Sequence, residues 1–129
     1  MTRIRIIFFT LTFLAFQSCL DMLEDNPIVF VGKIYILPSG KESLLIYSTS
    51  DIDKGGYTYD RIVNENLISA LGNDSVIYIK ANTWKDTGYY LVKHNKGEKV
   101  LAVKEIDSLN FSTNIEGRQF KYSYQSKSN

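Results

Sequence analysis

One cysteine, one histidine and two prolines are all that this chain has of three residue types that commonly shape small domains and their active sites. A lone thiol, Cys19, can close no disulfide within the chain, so an apolar core must hold the fold together. A lone imidazole, His94, leaves a Ser-His-Asp relay or a two-histidine zinc site short of partners. Its place at the end of a predicted strand, beside a turn, predicts an exposed strand-end side chain. Apolar runs never reach the ~18 residues that a membrane-spanning helix needs. Fifteen basic side chains against 14 acidic ones, with the lysines scattered, provide no basic face, which excludes a nucleic-acid partner. Glycine-rich phosphate loops after a strand are lacking too. The closest carboxylate pairs, Asp51/Asp53 and Glu24/Asp25, fall in a loop and a tether where nothing would separate their pKa values, as an acid-base pair requires. The expectation is a protein without catalytic residues, metal or cofactor.

What the chain does have begins at its amino terminus. Arg3 and Arg5 form a short positive segment, Ile6 to Phe16 an apolar run broken only by Thr10 and Thr12, and Ser18 a small residue directly before Cys19. This is the layout of a secretory signal. A cysteine at the cut point can carry diacylglycerol, and acylation of the new amino terminus then supplies the further chains that stable anchoring requires. Residues 1–19 resemble the bacterial lipoprotein signal, with Phe16 in place of the usual Leu and Gln17 in place of a small residue. The looser pattern, followed by acidic Asp21, Glu24 and Asp25, is similar to lipoproteins of Bacteroidetes-type bacteria. That resemblance implies a signal peptide over 1–18, lipidation at Cys19, an acidic tether over 19–27, and a place in the cell envelope, at the outer membrane rather than the inner. Ordinary secretion, with Cys19 a free or removed thiol, is the alternative. Losing the leader removes Arg3 and Arg5 and leaves one acid in excess.

The remainder has the length of one domain, 28–125, with a polar tail over 126–129. Ile28 to Leu37, rich in Val, Ile, Phe and Tyr, predicts a first strand, ended by Pro38-Ser39-Gly40 and paired with Leu44 to Thr49. Arg61 to Leu71 reads as either helix or strand, and Asn66 to Leu71 is taken as a strand. Gly72-Asn73-Asp74 signals a tight turn into Ser75 to Ala81, whose Val76, Ile77, Tyr78 and Ile79 put apolar groups on both faces and predict a central position. Tyr89 to His94 and Lys99 to Val103, joined through Asn95-Lys96-Gly97, complete an antiparallel meander at about 75–103. Asp107-Ser108 then opens a short helix within 105–115, with Ile106, Leu109 and Phe111 facing inward. Arg118 to Gln125 ends the domain as an alternating strand with Phe120, Tyr122 and Tyr124 on one face. The fold class is α+β, mainly antiparallel sheet.

Two stretches invite a functional reading. Asp51, Asp53 and Asp60, among Gly55 and Gly56, faintly follow a calcium loop, but Gly55 stands where an oxygen ligand belongs and Ile62 where the closing Glu belongs. A solvated turn is the simpler expectation. Asn82 to Gly88 is polar except for Trp84, which is either folded over the sheet or offered outward as a contact anchor. Tyr57, Tyr59, Tyr122 and Tyr124, at period two, suggest cross-strand packing.

The succession from Asn66 to Phe111, with its Ile-Tyr-Ile strand, Tyr-Tyr-Leu-Val strand, glycine turn and acidic segment, resembles small uncharacterised bacterial lipoproteins of a domain-of-unknown-function family. That resemblance implies no functional residues. Two roles follow from the reading as a whole. One is a lipid-anchored interaction module with a protein partner, such as an immunity or inhibitor protein. The other is a structural or assembly accessory of the envelope.

Overall fold

A computed structural model describes residues 27–39, 42–49 and 58–126. The expected leader over 1–18, Cys19, most of the acidic tether, Asp51, Asp53, Tyr57 and residues 127–129 lie outside the described residues. Within them the chain forms nine strands and one helix: β1 (Ile28–Val31), β2 (Ile34–Ser39), β3 (Glu42–Tyr47), β4 (Asp60–Val63), β5 (Asn66–Gly72), β6 (Val76–Asn82), β7 (Thr87–His94), β8 (Val100–Ile106), α1 (Ser108–Ile115) and β9 (Tyr122–Gln125). All strand pairings are antiparallel and build two sheets, ordered β1-β2-β3-β4 and β8-β7-β6-β5-β9.

Alternation explains how the sheets meet. In β6, Ile77, Ile79 and Ala81 are fully buried and pack with Ile34, Ile36 and Leu45 of the first sheet, forming one core with Phe30, Leu67 and Val92. Each such Ile or Leu contributes about 1.5–3 kcal/mol of burial. The predicted meander is present and larger than expected, running from β5 to β8, with β6 in the middle of its sheet. Its position explains why β6 is apolar on both faces. Ile77 and Ile79 fill the core, while Tyr78 on the opposite face meets the Phe120 ring edge-on at 5.9 Å.

The amino-terminal strand differs from its prediction. Ile28 to Leu37 is two strands, because Gly32, at φ 56°, reverses the chain between Val31 and Ile34. Apolar runs on both sides hid this turn, since Gly32-Lys33 is its only punctuation. Pro38 and Ser39 belong to β2 and do not terminate it. Pro38 is in register with Ser43 of β3, but β1 reaches only as far as Ile36 on the other side, so one side of the strand is unpaired at this point, the setting in which proline is tolerated. Asp60–Val63, left unassigned by the sequence, pairs with β3 as the edge of the first sheet.

The carboxyl-terminal part is shorter in regular structure than expected. The helix starts where predicted, with the Asp107 carboxylate accepting from the Asn110 N–H at 2.7 Å, and buries Phe111 against Tyr89 with centroids 4.8 Å apart. Leu109, expected inward, points to solvent and is 74% exposed. One turn of contact on β7 accommodates Phe111 but not Leu109, which lies two residues, or about 200°, around the helix from it. The last strand begins at Tyr122 rather than Arg118. Phe120 therefore does not share a face with Tyr122: it packs on the outer face with Tyr78, whereas Tyr122 turns inward to Phe30 at 5.9 Å. Tyr122 and Tyr124 pair across the strand with Gly72 and Ala70, and small partners leave room for their rings over the core. Tyr59 precedes β4 and is not a strand residue.

Candidate interaction site at the β6–β7 tip

Both candidate functional side chains of the meander sit on β7 or its turn, at opposite ends. His94 closes one end. It is 3% exposed, which overturns the expectation of a solvent-facing imidazole. Nδ1 accepts the Gly97 N–H at 2.9 Å, so the proton resides on Nε2, which donates to the Asn73 carbonyl at 2.9 Å. Burial lowers the pKa, and the backbone hydrogen bonds at Asn73 and Val76 and the charge of Asp74 oppose that shift. With both ring nitrogens held by backbone, the imidazole has no nitrogen left for a substrate proton. The strand-end position was correctly legible in the sequence, but the neighbouring turns that fold over it were not.

Three turns converge on this histidine. Lys33, after β1, donates its N–H to the Gly97 carbonyl at 2.9 Å, and Lys96 donates its N–H to the Asp74 carbonyl at 2.8 Å. Asn73 organises the β5–β6 turn through its own side chain, accepting the N–H groups of Ser75 and Val76 at 2.9 and 3.0 Å. Asp74 receives the Tyr122 hydroxyl at 2.9 Å, which with Lys121 lowers its pKa. This end of the molecule is a structural lock.

The other end carries Trp84. The β6–β7 hairpin pairs Asn82 with Thr87, so residues 83–86 form a short four-residue tip. Thr83 braces it: its N–H and hydroxyl both donate to the Asp86 carbonyl at 2.7 Å, and its hydroxyl accepts the Asp86 N–H at 2.9 Å. The Asp86 carboxylate takes the Thr87 N–H at 2.7 Å. On this fixed turn Trp84 is 88% exposed, with only the Lys85 ammonium over its ring, 4.6 Å from the centroid. Of the two placements open in the sequence, the outward one is found.

Beside the tip, between the start of β7 and the end of β8, a shallow groove of about 370 Å³ carries Asp86, Glu105 and Asp107 on its walls. Asp107 gives both carboxylate oxygens to Asn110, whereas Asp86 gives one to the Thr87 N–H, so Asp86 through its second oxygen and Glu105 are the acceptors open to a ligand. An aromatic plate, a cation over it and an acidic groove alongside can together receive a ligand with an apolar face and hydrogen-bond donors. A larger groove of about 540 Å³ lies where α1 leaves the outer face of β5 and β9 uncovered, and its one charged group is Lys80. A third of about 290 Å³ separates β4 from β8, between Tyr47, Ile62 and Val103. Sequence reading missed all three grooves: two are made by strands distant in the chain, and the one beside the tip depends on how far β7 and β8 run alongside each other.

Among the described residues no three His, Cys, Asp or Glu side chains cluster as metal ligands, and Asp60 is exposed at the start of β4. No described helix is long and apolar enough to cross a membrane. Compared with known proteins, the chain matches no family model, no curated protein and no solved structure.

Proposed function

We propose that this chain is a lipid-anchored protein of the bacterial cell envelope, held at the outer membrane through Cys19, whose folded part is a non-catalytic interaction module. The anchor reading rests on the layout of residues 1–19. The interaction reading is carried by one observation: a tryptophan 88% exposed on a turn that its neighbours hold rigid. Leaving so large an apolar ring in water gains nothing for folding, while covering it at an interface supplies about 2 kcal/mol or more. The bound group is a protein surface or glycan that lays an apolar face on the indole and donates hydrogen bonds to Asp86 and Glu105.

The test is retention of envelope components by the full-length protein in detergent, comparing the natural chain with Trp84→Ala and Trp84→Phe. The expected result is loss of retained material with Ala, partial recovery with Phe, and a Tm unchanged in both. Equal retention by all three at equal Tm would remove Trp84 from the site.

A further inference from the structure

Register sets two poles in this fold. At one, Gly32 packs on Gly97, and the Lys33 N–H donates to the Gly97 carbonyl. At the other, the Asn66 side chain accepts the Ser43 N–H at 2.8 Å, and Asn66 is paired with Asn82, the last residue of β6 before the Trp84 tip. Strand β1 starts at Ile28, which is in register with Ile36 and through it with Leu45, two residues from Ser43. From Ile28 the strand runs toward Gly32, so the chain enters its folded part from the pole that carries Trp84.

The length of chain before that entry bounds where the tip can be. From Cys19 to Pro27, eight residues on, no backbone reaches beyond about 28 Å. Strand β7, also of eight residues, is about as long. A lipid at Cys19 therefore keeps the entry pole within about one strand length of the membrane surface, while the Gly32–Gly97 pole stands up to a further strand length away.

Charge at the tip decides what it meets there. Around it, among the described residues, Glu42, Glu65, Asp86 and Glu105 outnumber Lys80 and Lys85. Carboxylates in excess repel the anionic phosphates of a lipid surface, and they favour lysine and arginine side chains. The indole suits the same groups, since its ring already holds the Lys85 ammonium at 4.6 Å, and a guanidinium stacks on such a ring at least as well. Beside it, the groove between Asp86 and Glu105 is open to the donors of a basic side chain.

Resting on the Cys19 anchor and on Trp84 as the contact residue, we propose that the partner is a protein seated in the same membrane, which presents a basic surface close to the bilayer to the Trp84 tip. Anchor and tip then act together, because the short tether raises the effective concentration of the tip at that surface.

A photo-crosslinking residue at Lys85, which leaves the indole in place, reads the partner in cells of the kind the proposed envelope location implies. It is placed in the full-length chain with its natural tether, with Glu105→Lys, and with a helical spacer of Glu-Ala-Ala-Ala-Lys repeats about 60 Å long inserted after Asp25. The expected result is a light-dependent adduct with one protein that leaves the membrane fraction only in detergent. The spacer should cut its yield about tenfold, and Glu105→Lys should do the same, with Tm unchanged in both. Glu116→Lys, past the far end of α1, should leave the yield as it is. An adduct with lipid, or with a protein recovered without detergent, would overturn the proposal while leaving Trp84 a contact residue. So would a membrane-protein adduct indifferent to tether length or to Glu105→Lys. A chain that does not sediment with membranes would overturn it through the anchor. No adduct with any tether would overturn it together with the reading of Trp84 on which it rests.

Discussion

Gly32 and Gly97 face each other backbone to backbone, at φ 56° and 74°, and join the first turn of one sheet to the last hairpin turn of the other. A Cβ on Gly32 would come within 2.6 Å of the Lys96 carbonyl and 2.9 Å of Gly97 Cα, while one on Gly97 would run into the Val31 carbonyl. Neither backbone can yield without opening the lock around His94. Gly97→Ala and Gly32→Ala should each cost more than about 3 kcal/mol. Gly117 also has a positive φ, 70°, but open space around it, so Gly117→Ala should cost only the backbone term of about 1 kcal/mol. Chemical denaturation of the three variants checks the order, and equal losses would show that the Gly32–Gly97 contact contributes nothing.

His94 makes stability depend on pH. Its folded pKa lies below the ordinary imidazole value of about 6.5 because burial disfavours the charged ring. The unfolded chain therefore takes up the proton first. Its contribution is complete above about pH 6.5 and is lost as pH falls from there toward the lowered folded value. Tm followed from about pH 7.5 to about 5.5 should decline in the natural protein. In His94→Gln, which keeps an acceptor and a donor but does not titrate, the decline should be shallower. Parallel curves would mean that His94 does not carry the effect.

Ile77 and Leu109 separate core from surface within one pattern of apolar residues. Ile77 is fully buried in the central strand, so Ile77→Asp places an unpaired carboxylate in the core and should cost several kcal/mol or abolish folding. Leu109→Asp, on the exposed side of α1, should change stability by less than about 0.5 kcal/mol. Thermal melts of the two read the contrast directly.

The parts of the fold that were legible in the sequence are those fixed by local chemistry. Continuous apolar runs bounded by Gly72-Asn73-Asp74 and Asn95-Lys96-Gly97 placed β6, β7 and β8, and Asp107-Ser108 placed the helix start. Features that depend on packing between distant segments were not legible. The turn at Gly32 is recognisable only because Gly97 packs against it, and the burial of His94 depends on turns 21 residues upstream and three downstream. At the candidate site the sequence marked Trp84 as unusual, yet its direction was settled by the Thr83 and Asp86 hydrogen bonds that square off the tip.

Lipidation at Cys19 has its own expected outcome. Mass spectrometry of the mature amino terminus should find an acylated cysteine, and Cys19→Ser should move the protein out of the membrane fraction. A Ser variant that stays fully membrane-bound would place the anchor elsewhere.

The central claim is that Trp84 is offered to a partner, and a photo-crosslinking residue placed at position 84 of the full-length protein tests it most directly, in cells of the kind the proposed envelope location implies. A light-dependent adduct of one defined mass at position 84, absent when the same group replaces exposed Glu116 at the far end of α1, is the predicted result. No adduct at position 84, with the variant folded and present in the envelope at its normal level, would contradict it.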